Sequence, residues 1–403
     1  MNDLDKKKSE RRTLWATLAV LAVGYLLLSD LMGGTFWTHQ GQDSYTLQAI
    51  NWLAGRMYLK NGEQYTWLEL AIYQGRYYVS FPPLPSVVMV PFVLLFGENT
   101  PNNLLVGVYG LISVALAFRI LLERGRSPRA AAFWGIFLVW GSNYLWMTTY
   151  GGVWFQAQDL NMVLCLAGIL AALRHKRSLC TSLLALAVGC RPFSAAYLAA
   201  FYLWFAWQDR EAFGFGRALL CNWRCCIGPV IVASALMWYN WARFNNPLEF
   251  GHDWLPEFTE AEYGQFNVHY LWPNLKNILF TPVKFTDRLL SFPIFNGFMF
   301  YIANPMFLVL FAWQLNALIR RNFTALGILL TAAMIINLLL LCMHKTFGGW
   351  QFGARYTCDL LPFALLYIAE KGAIRPRTWE LCLCGCAVAF NAYGVIWMFL
   401  NAK

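Results

Sequence analysis

The sequence has few charged residues for its length. Asp, Glu, Lys and Arg together make up 13% of the 403 residues, whereas hydrophobic residues make up 59%. Soluble domains usually carry about 25% charged residues, so this composition excludes an ordinary soluble protein. Several apolar runs reach about 20 residues, the length that crosses the hydrocarbon core of a bilayer. We therefore predict an all-α integral membrane protein with a single polytopic domain, residues 1–403.

Acidic residues are scarcer than basic ones, with 21 Asp and Glu against 31 Lys and Arg and a formal net charge of +10. The basic residues lie in short clusters between the apolar runs, including the tail 1–12 and the segments 124–129 and 320–321. This distribution is the positive-inside pattern of membrane proteins and argues against a nucleic-acid partner. It predicts that the basic tail 1–12 lies in the cytoplasm.

The apolar runs predict about eleven membrane-spanning helices. Their predicted bounds are 13–34, 102–122, 130–149, 158–173, 178–190, 193–208, 226–243, 296–316, 324–343, 359–371 and 379–400. With the N-terminus in the cytoplasm, this odd number of crossings places the C-terminus outside. The run 82–97 is also apolar, but it is only about 16 residues long and rich in proline, which favours a re-entrant or interfacial helix.

Two long segments, 37–98 and 245–293, lie on the outer face in this topology. The first contains amphipathic and aromatic stretches, which are typical of interfacial helices. At its start, Asp43 has two interpretations. It is either a general base or metal ligand, or the N-cap of a helix whose first turn is Ser44-Tyr45-Thr46. Sequence spacing alone leaves this open.

Asp159 falls at the start of the helix predicted at 158–173, on the same face as Asp43. Two carboxylates at helix starts either both act as caps or both line one cavity, and their spacing does not distinguish these cases. In the segment 245–293, His269 is a weaker candidate, because no fixed ligand spacing supports a metal site.

Two arginines interrupt apolar sequence near the outer face. Arg191 stands in Cys190-Arg191-Pro192, between two short predicted helices, and an arginine within a membrane is usually functional. Arg355 closes the glycine-rich loop 344–356, which also contains Lys345 and Tyr356. An arginine at the membrane edge can bind a phosphate through two parallel hydrogen bonds. The alternative for this loop is an interfacial anchor of Trp and Arg.

The order of these features resembles the membrane glycosyltransferases of the C superfamily, which include protein O-mannosyltransferases and lipid A aminoarabinose transferases. The resemblance covers most of the chain. It rests on the outward first helix with Asp43 at its outer end, and on Gly75-Arg76-Tyr77-Tyr78, Phe81-Pro82-Pro83-Leu84-Pro85, Tyr150-Gly151-Gly152-Val153-Trp154-Phe155, Gly189-Cys190-Arg191-Pro192 and the segments 243–251 and 348–356.

The resemblance implies an inverting transferase that moves a sugar from a polyprenyl-phosphate carrier to a glycan, lipid or protein acceptor on the outer face of the bacterial inner membrane. Asp43 and Asp159 are then the catalytic candidates. Arg191 and Arg355 are candidates for the lipid phosphate, and the further substrate-binding candidates are Tyr356, Tyr78, His269 and Lys345. Family members often have an Asp-Glu pair where this chain has Asp43-Ser44, so dependence on a divalent metal ion stays open.

Two other functions are compatible with the sequence. One is a flippase or transporter of polyprenyl-linked lipids, although the chain lacks the internal repeat of many transporters and most of its charges lie at predicted helix ends. The other is a non-catalytic membrane component of an envelope-assembly complex. A ligase or polymerase of surface polysaccharide is a close enzymatic relative of the transferase.

Overall fold

Apolar helices dominate the structure. The computed structural model describes residues 3–286 and 289–401. Within these ranges, six helices are long and apolar enough to cross a membrane: Leu4–Leu31, Asn102–Glu123, Val153–Leu173, Trp223–Phe244, Ala325–Cys342 and Thr378–Asn401. The prediction of a multi-pass, mostly α-helical membrane protein is therefore confirmed.

The described residues form eighteen α-helices and two short β-hairpins. The helices are α1 (Asp3–Leu31), α2 (Ser44–Leu53), α3 (Leu84–Phe96), α4 (Asn102–Glu123), α5 (Pro128–Val139), α6 (Tyr144–Met147), α7 (Val153–Leu173), α8 (Arg177–Val188), α9 (Ala195–Phe213), α10 (Phe215–Cys221), α11 (Ile227–Phe244), α12 (Pro256–Thr259), α13 (Leu271–Phe280), α14 (Phe300–Ala303), α15 (Met306–Ile319), α16 (Ala325–Cys342), α17 (Leu361–Lys371) and α18 (Thr378–Asn401). The hairpins are antiparallel and consist of β1 (Leu70–Tyr73) with β2 (Arg76–Val79), and β3 (Lys284–Thr286) with β4 (Leu289–Ser291).

Several predicted boundaries are wrong. Helix α1 begins at Asp3, so the described part of the basic tail 1–12 continues the first helix. The helix predicted at 130–149 is divided into α5 and α6, because the Ser142 hydroxyl bonds to the Leu138 carbonyl and Asn143 turns toward Asn304. The helix predicted at 296–316 is divided into α14 and α15 just before Pro305. The sequence also did not predict the two β-hairpins.

The other predicted crossings include shorter helices. α8, α15 and α17 have 12, 14 and 11 residues. α17 is buried on every side from Leu361 to Ala369, as expected for a helix that is apolar all round and lies inside a bundle. α3 has 13 residues with Pro91 inside it and packs against α2, in agreement with the prediction of short helices within 37–98.

One end of the bundle collects basic residues. Arg174 at the end of α7 pairs with Glu123 at the end of α4 (Nε–Oε1 2.7 Å), and Arg124 pairs with Glu370 at the end of α17. The ammonium of Lys371 donates to the turn between α15 and α16. The ends of α4, α7 and α17 and the turn between α15 and α16 therefore meet at one end of the bundle, which we call the basic end.

The connecting segments meet at the opposite end, which we call the loop end. The backbone N–H of Val153, the first residue of α7, donates to the Gln42 carbonyl (2.8 Å). The N–H of Leu84, the first residue of α3, donates to the Gly189 carbonyl that follows α8 (3.2 Å). These bonds bring together parts of the chain that the sequence separates by more than a hundred residues.

The buried guanidinium of Arg243 holds the β1–β2 hairpin at this end. Arg243 lies in the last turn of α11 and donates to the Val79 carbonyl of β2 (2.7 Å) and to Asn240 Oδ1 (3.0 Å). Its guanidinium also stacks on Tyr239 and Phe244, 3.9 and 4.6 Å from the ring centroids. The hairpin is therefore fixed to a membrane helix.

Candidate functional site

Arg191 lies in the turn between α8 and α9. α8 ends at Val188, and the next residues cannot continue the helix because the ring of Pro192 disfavours helical backbone at the residue before it. Arg191 accordingly has extended dihedral angles, φ −140° and ψ 102°. Its side chain leaves the helix axis and reaches the segment between α16 and α17.

An ion pair holds Arg191 in place. Its Nε and Nη2 atoms each lie 2.9 Å from Asp359 Oδ2. The other oxygen, Asp359 Oδ1, accepts a hydrogen bond from Gln158 Nε2 of α7 (3.0 Å). The Arg191 guanidinium also lies 4.6 Å from the centroid of the Tyr356 ring. Three segments that are distant in the sequence are thereby joined.

Arg355 lies on the same tyrosine ring, with its guanidinium 4.8 Å from the Tyr356 centroid. The residue is only 4% exposed. Its Nη1 donates to Gln158 Oε1 (2.7 Å) and its Nε to the Gly348 carbonyl (3.1 Å). We call Gln158, Arg191, Arg355, Tyr356 and Asp359 the arginine cluster.

The two arginines differ in how their charge is balanced. Arg191 has the Asp359 carboxylate as a partner. The hydrogen bonds of the Arg355 side chain within the described residues all go to uncharged oxygens. A buried cation that no contacting carboxylate balances is unfavourable, so an anion bound beside Arg355 would be stabilised there.

The loop that precedes Arg355 needs glycine at position 348. Gly348 has φ +89°, a conformation that residues with a Cβ rarely adopt, and a Cβ there would lie 2.6 Å from Gln351 Nε2. The Gln351 side chain in turn accepts from the Arg355 backbone N–H (2.8 Å). This close packing fixes the backbone of Arg355 as well as its side chain.

Glu69 adjoins the arginine cluster, and sequence reasoning did not identify it. Its Oε2 accepts a hydrogen bond from Trp154 Nε1 (3.0 Å), and the Trp154 carbonyl accepts from Arg355 Nη1 (3.4 Å). Glu69 has φ +56° and ψ 58°. This left-handed backbone costs a residue other than glycine about 1–3 kcal/mol, and it makes the turn that leads into β1.

Glu69 also lines a cavity of about 220 Å³. Glu257 lines the same cavity, and the remaining lining residues are Leu70, Ile72, Tyr77, Leu255 and Pro256. Burial raises the pKa of Glu69 above its ordinary value, and the nearby Glu257 charge acts in the same direction, whereas the Trp154 hydrogen bond and Arg355 oppose it. A carboxylate with a raised pKa in a cleft is a candidate proton acceptor.

The wall that carries Glu257 is attached to the loop 344–346. Lys345 Nζ donates to the Glu257 carbonyl (2.6 Å), and Thr346 Oγ1 donates to Glu257 Oε1 (2.5 Å). His344 lies between Gln265 Nε2 (3.1 Å) and the Thr346 carbonyl (2.9 Å), and burial lowers the pKa of His344 to about 4. Lys345 thus positions a cavity wall in this structure.

Asp43 is the N-cap of α2, which is one of the two roles that the sequence left open for it. Its Oδ1 accepts from the backbone N–H groups of Tyr45 (3.0 Å) and Thr46 (3.2 Å). Its Oδ2 accepts from Thr46 Oγ1 (2.5 Å) and Asn102 Nδ2 (2.9 Å), and the residue is 1% exposed. A catalytic role for Asp43 stays a prediction, and in this structure both oxygens are engaged in holding α2 against α4.

Asp159 does not cap a helix, because α7 begins at Val153 and Asp159 lies in its second turn. Its side chain is fully buried in the bundle, and neither carboxylate oxygen has a hydrogen-bond partner among the described residues. The hydroxyl of Tyr144 lies 3.5 Å from its backbone carbonyl. The catalytic role predicted for Asp159 is untested.

Two further candidates lie apart from the arginine cluster. Tyr78 is buried against Phe244, with ring centroids 5.2 Å apart, and supports the hairpin. His269 is exposed and stacks on Tyr263 at 4.2 Å.

A divalent metal ion does not fit the donor groups of this site. Across residues 3–286 and 289–401, no three or more His, Cys, Asp or Glu side chains are placed to hold a metal ion. The Asp43 oxygens already accept four hydrogen bonds. We therefore derive no step through a metal.

Comparison with solved structures shows what this fold resembles. ArnT from Cupriavidus metallidurans, solved with bound undecaprenyl phosphate, is 16% identical, and the match has a TM-score of 0.51 and covers 91% of this chain and 62% of that chain. The apo oligosaccharyltransferase from Archaeoglobus fulgidus is 12% identical, with a TM-score of 0.49 and coverage of 96% and 55%. No protein-family model and no curated protein sequence matches this chain.

The predicted resemblance is thus confirmed at the level of the fold. The match that carries this statement is ArnT, whose structure was solved with bound undecaprenyl phosphate. The match spans 62% of the length of ArnT, so the likeness concerns only the part of ArnT that the match covers.

Proposed function

We propose that this protein is a glycosyltransferase that moves a sugar from a polyprenyl-phosphate carrier to an acceptor at the loop end of the bundle. The observation that carries the proposal is the buried Arg355 guanidinium, which lacks a contacting carboxylate and lies on the same ring as Arg191. The fold shared with ArnT supports it. A polyprenyl chain stays in the bilayer, so an enzyme that uses one needs its site at the membrane edge.

Arg355 is the principal ligand for the carrier phosphate. When the sugar leaves, negative charge develops on the phosphate, and a fixed guanidinium in a water-poor site stabilises that charge strongly. Arg191 contributes less charge because Asp359 balances it, but its guanidinium also lies on the Tyr356 ring, 4.6 Å from the centroid. Tyr356 thereby keeps the two guanidinium groups near one position.

Glu69 is the proton acceptor for the incoming group. The acceptor hydroxyl or amine gives its proton to the Glu69 carboxylate as its lone pair attacks the anomeric carbon. The bond from that carbon to the phosphate oxygen breaks, and its electron pair leaves on the phosphate beside Arg355. Attack from the side opposite the phosphate inverts the anomeric centre. We prefer Glu69 to Asp43 because Glu69 lines a cavity, whereas the Asp43 oxygens are engaged in a helix cap.

The same proposal includes an orientation. The basic end faces the cytoplasm, in accordance with the positive-inside pattern, and the loop end lies on the outer face of a bacterial inner membrane. About eleven crossings then place the C-terminus outside. The acceptor is a glycan, lipid or protein that reaches the outer face.

The experiment uses the full-length protein in nanodiscs with a panel of radiolabelled undecaprenyl-phosphate sugars. We expect release of undecaprenyl phosphate, and we expect Arg355→Ala to abolish it. The matched control is Arg217→Ala, which removes an exposed arginine from α10 and should leave turnover unchanged. Wild-type turnover in Arg355→Ala would refute the phosphate assignment. Movement of intact carrier lipid across the bilayer without turnover would identify a flippase instead.

A further inference from the structure

A groove opens on the lipid-facing side of the bundle at the basic end, far from the arginine cluster. It lies between α15 and α16, is floored by α17 and has a volume of about 390 Å³. Its lining residues include Phe323, Ile328, Thr331, Ile335 and Lys371. The proposed transferase reaction does not use any of them.

The interior of the groove is suited to an acyl chain. Phe323, Ile328 and Ile335 line it and are more than half exposed in the protein alone. Its main polar groups satisfy each other, because Gln314 Nε2 donates to Thr331 Oγ1 (3.1 Å), which in turn donates to the Gly327 carbonyl (2.9 Å). An apolar ligand beside Thr331 therefore does not leave its hydroxyl unpaired.

The mouth of the groove is cationic. Lys371 lines it and uses two of its N–H donors on Asn322, at 2.9 Å to the carbonyl and 3.0 Å to Oδ1, which leaves a third donor. Arg320 and Arg321 are exposed in the turn between α15 and α16. The adjacent Glu370 is paired with Arg124. No carboxylate is among the lining residues, so the mouth is complementary to an anion.

The length of the groove distinguishes a lipid from a partner helix. From Thr324 to Ile335 along α16 it extends about 16 Å, at roughly 1.5 Å per residue. This is about half of the hydrocarbon core, which is ~30 Å thick. A transmembrane helix of a partner protein would need an unpartnered face along the whole thickness, whereas one acyl chain occupies a single leaflet.

We propose that this groove binds one anionic phospholipid of the leaflet at the basic end. An acyl chain lies between α15 and α16, and the headgroup phosphate contacts Lys371, Arg320 and Arg321. Each juxtamembrane basic residue of this kind raises the affinity for anionic lipids by about fivefold.

Native mass spectrometry of the intact protein tests the proposal. The protein is incubated in detergent with equimolar dioleoyl phosphatidylglycerol and dioleoyl phosphatidylcholine. We expect one phosphatidylglycerol to be retained preferentially, and we expect its affinity to fall about tenfold or more in Arg320→Gln/Arg321→Gln. The control Arg11→Gln/Arg12→Gln removes the same charge from exposed positions of α1 and should retain the lipid.

A second variant tests the shape of the groove independently. Ala332→Phe fills its centre without changing any charge and should also release the lipid. Equal retention of the two lipids, or retention of phosphatidylglycerol by both groove variants, would overturn the proposal. Displacement of phosphatidylglycerol by equimolar undecaprenyl phosphate would overturn it too, because the groove would then be a carrier site. Circular dichroism and gel filtration verify that each variant is folded.

Discussion

Replacement of Glu69 by glutamine separates the proton-accepting role of this residue from its structural role. The amide has the same shape, and its oxygen can still accept from Trp154 Nε1, so the contact at 3.0 Å is retained. A neutral amide cannot take a proton from the acceptor. Because a general base typically accelerates a reaction by about 10²–10⁴-fold, we expect turnover of Glu69→Gln to fall at least about 100-fold.

The pH dependence gives the second readout of this substitution. Glu69 must be ionised to accept a proton, and burial raises its pKa above the ordinary 4.5. In the wild type, the rate should therefore rise with pH through a midpoint above 4.5, and Glu69→Gln should lose this limb. Sugar transfer in nanodiscs measures both effects, and native mass spectrometry with undecaprenyl phosphate verifies that the carrier still binds.

The control for Glu69 is Glu63→Gln, an exposed residue in the same loop, which should retain wild-type turnover and the same pH profile. Wild-type turnover in Glu69→Gln would refute the assignment of the base without affecting the phosphate site at Arg355. A loss of carrier binding in Glu69→Gln would instead indicate that the residue positions the donor.

Three further outcomes are expected. Asp43→Ala should lower stability by about 0.5–2 kcal/mol through loss of the cap, whereas Asp43→Asn keeps a capping oxygen. Thermal unfolding of the two variants tests the cap, and loss of turnover in a stable Asp43→Asn variant would identify a base. Asp359→Asn should destabilise the protein by about 3 kcal/mol in denaturation experiments, because it leaves Arg191 largely buried without its anion. The His344 pKa of about 4 lies below the ordinary 6.5, so the stability of the folded state should be complete above pH 6.5 and fall by about 1–2 kcal/mol at pH 5. His344→Gln should remove this dependence of stability on pH in thermal unfolding. An unchanged dependence would contradict the role assigned to His344.

Sequence analysis located a helix best where the apolar run and the helix begin and end at nearly the same residues. α4 and α16 were predicted within a residue or so of their bounds. The prediction failed where side chains redirect the backbone, as at Ser142 and Asn143, whose partners include a carbonyl in the preceding turn and Asn304. Such a contact, made across 161 residues, has no signature in local hydrophobicity.

The same reasoning explains which parts of the site could be predicted. Arg191 and Arg355 stood out because a charge within apolar sequence is unusual, and the structure places both on Tyr356. Asp359 and Glu69 did not stand out, because their importance depends on partners 168 and 85 residues away. Carboxylates beside loops are common, and only the fold shows which ones are buried beside a cation.

The charge of Arg355 also couples donor binding to proton acceptance by Glu69 in the proposed reaction. Arg355 acts to lower the pKa of Glu69, against the effect of burial. An anionic carrier phosphate on Arg355 would offset this effect, so donor binding should raise the pKa of Glu69 further and make it a stronger base when the sugar is in place. The rate at saturating donor reports the donor-bound enzyme, whereas kcat/KM reports the free enzyme. The acid limb of kcat should therefore lie at higher pH than that of kcat/KM, and coincident limbs would show that the phosphate does not bind beside Arg355 in the way we propose.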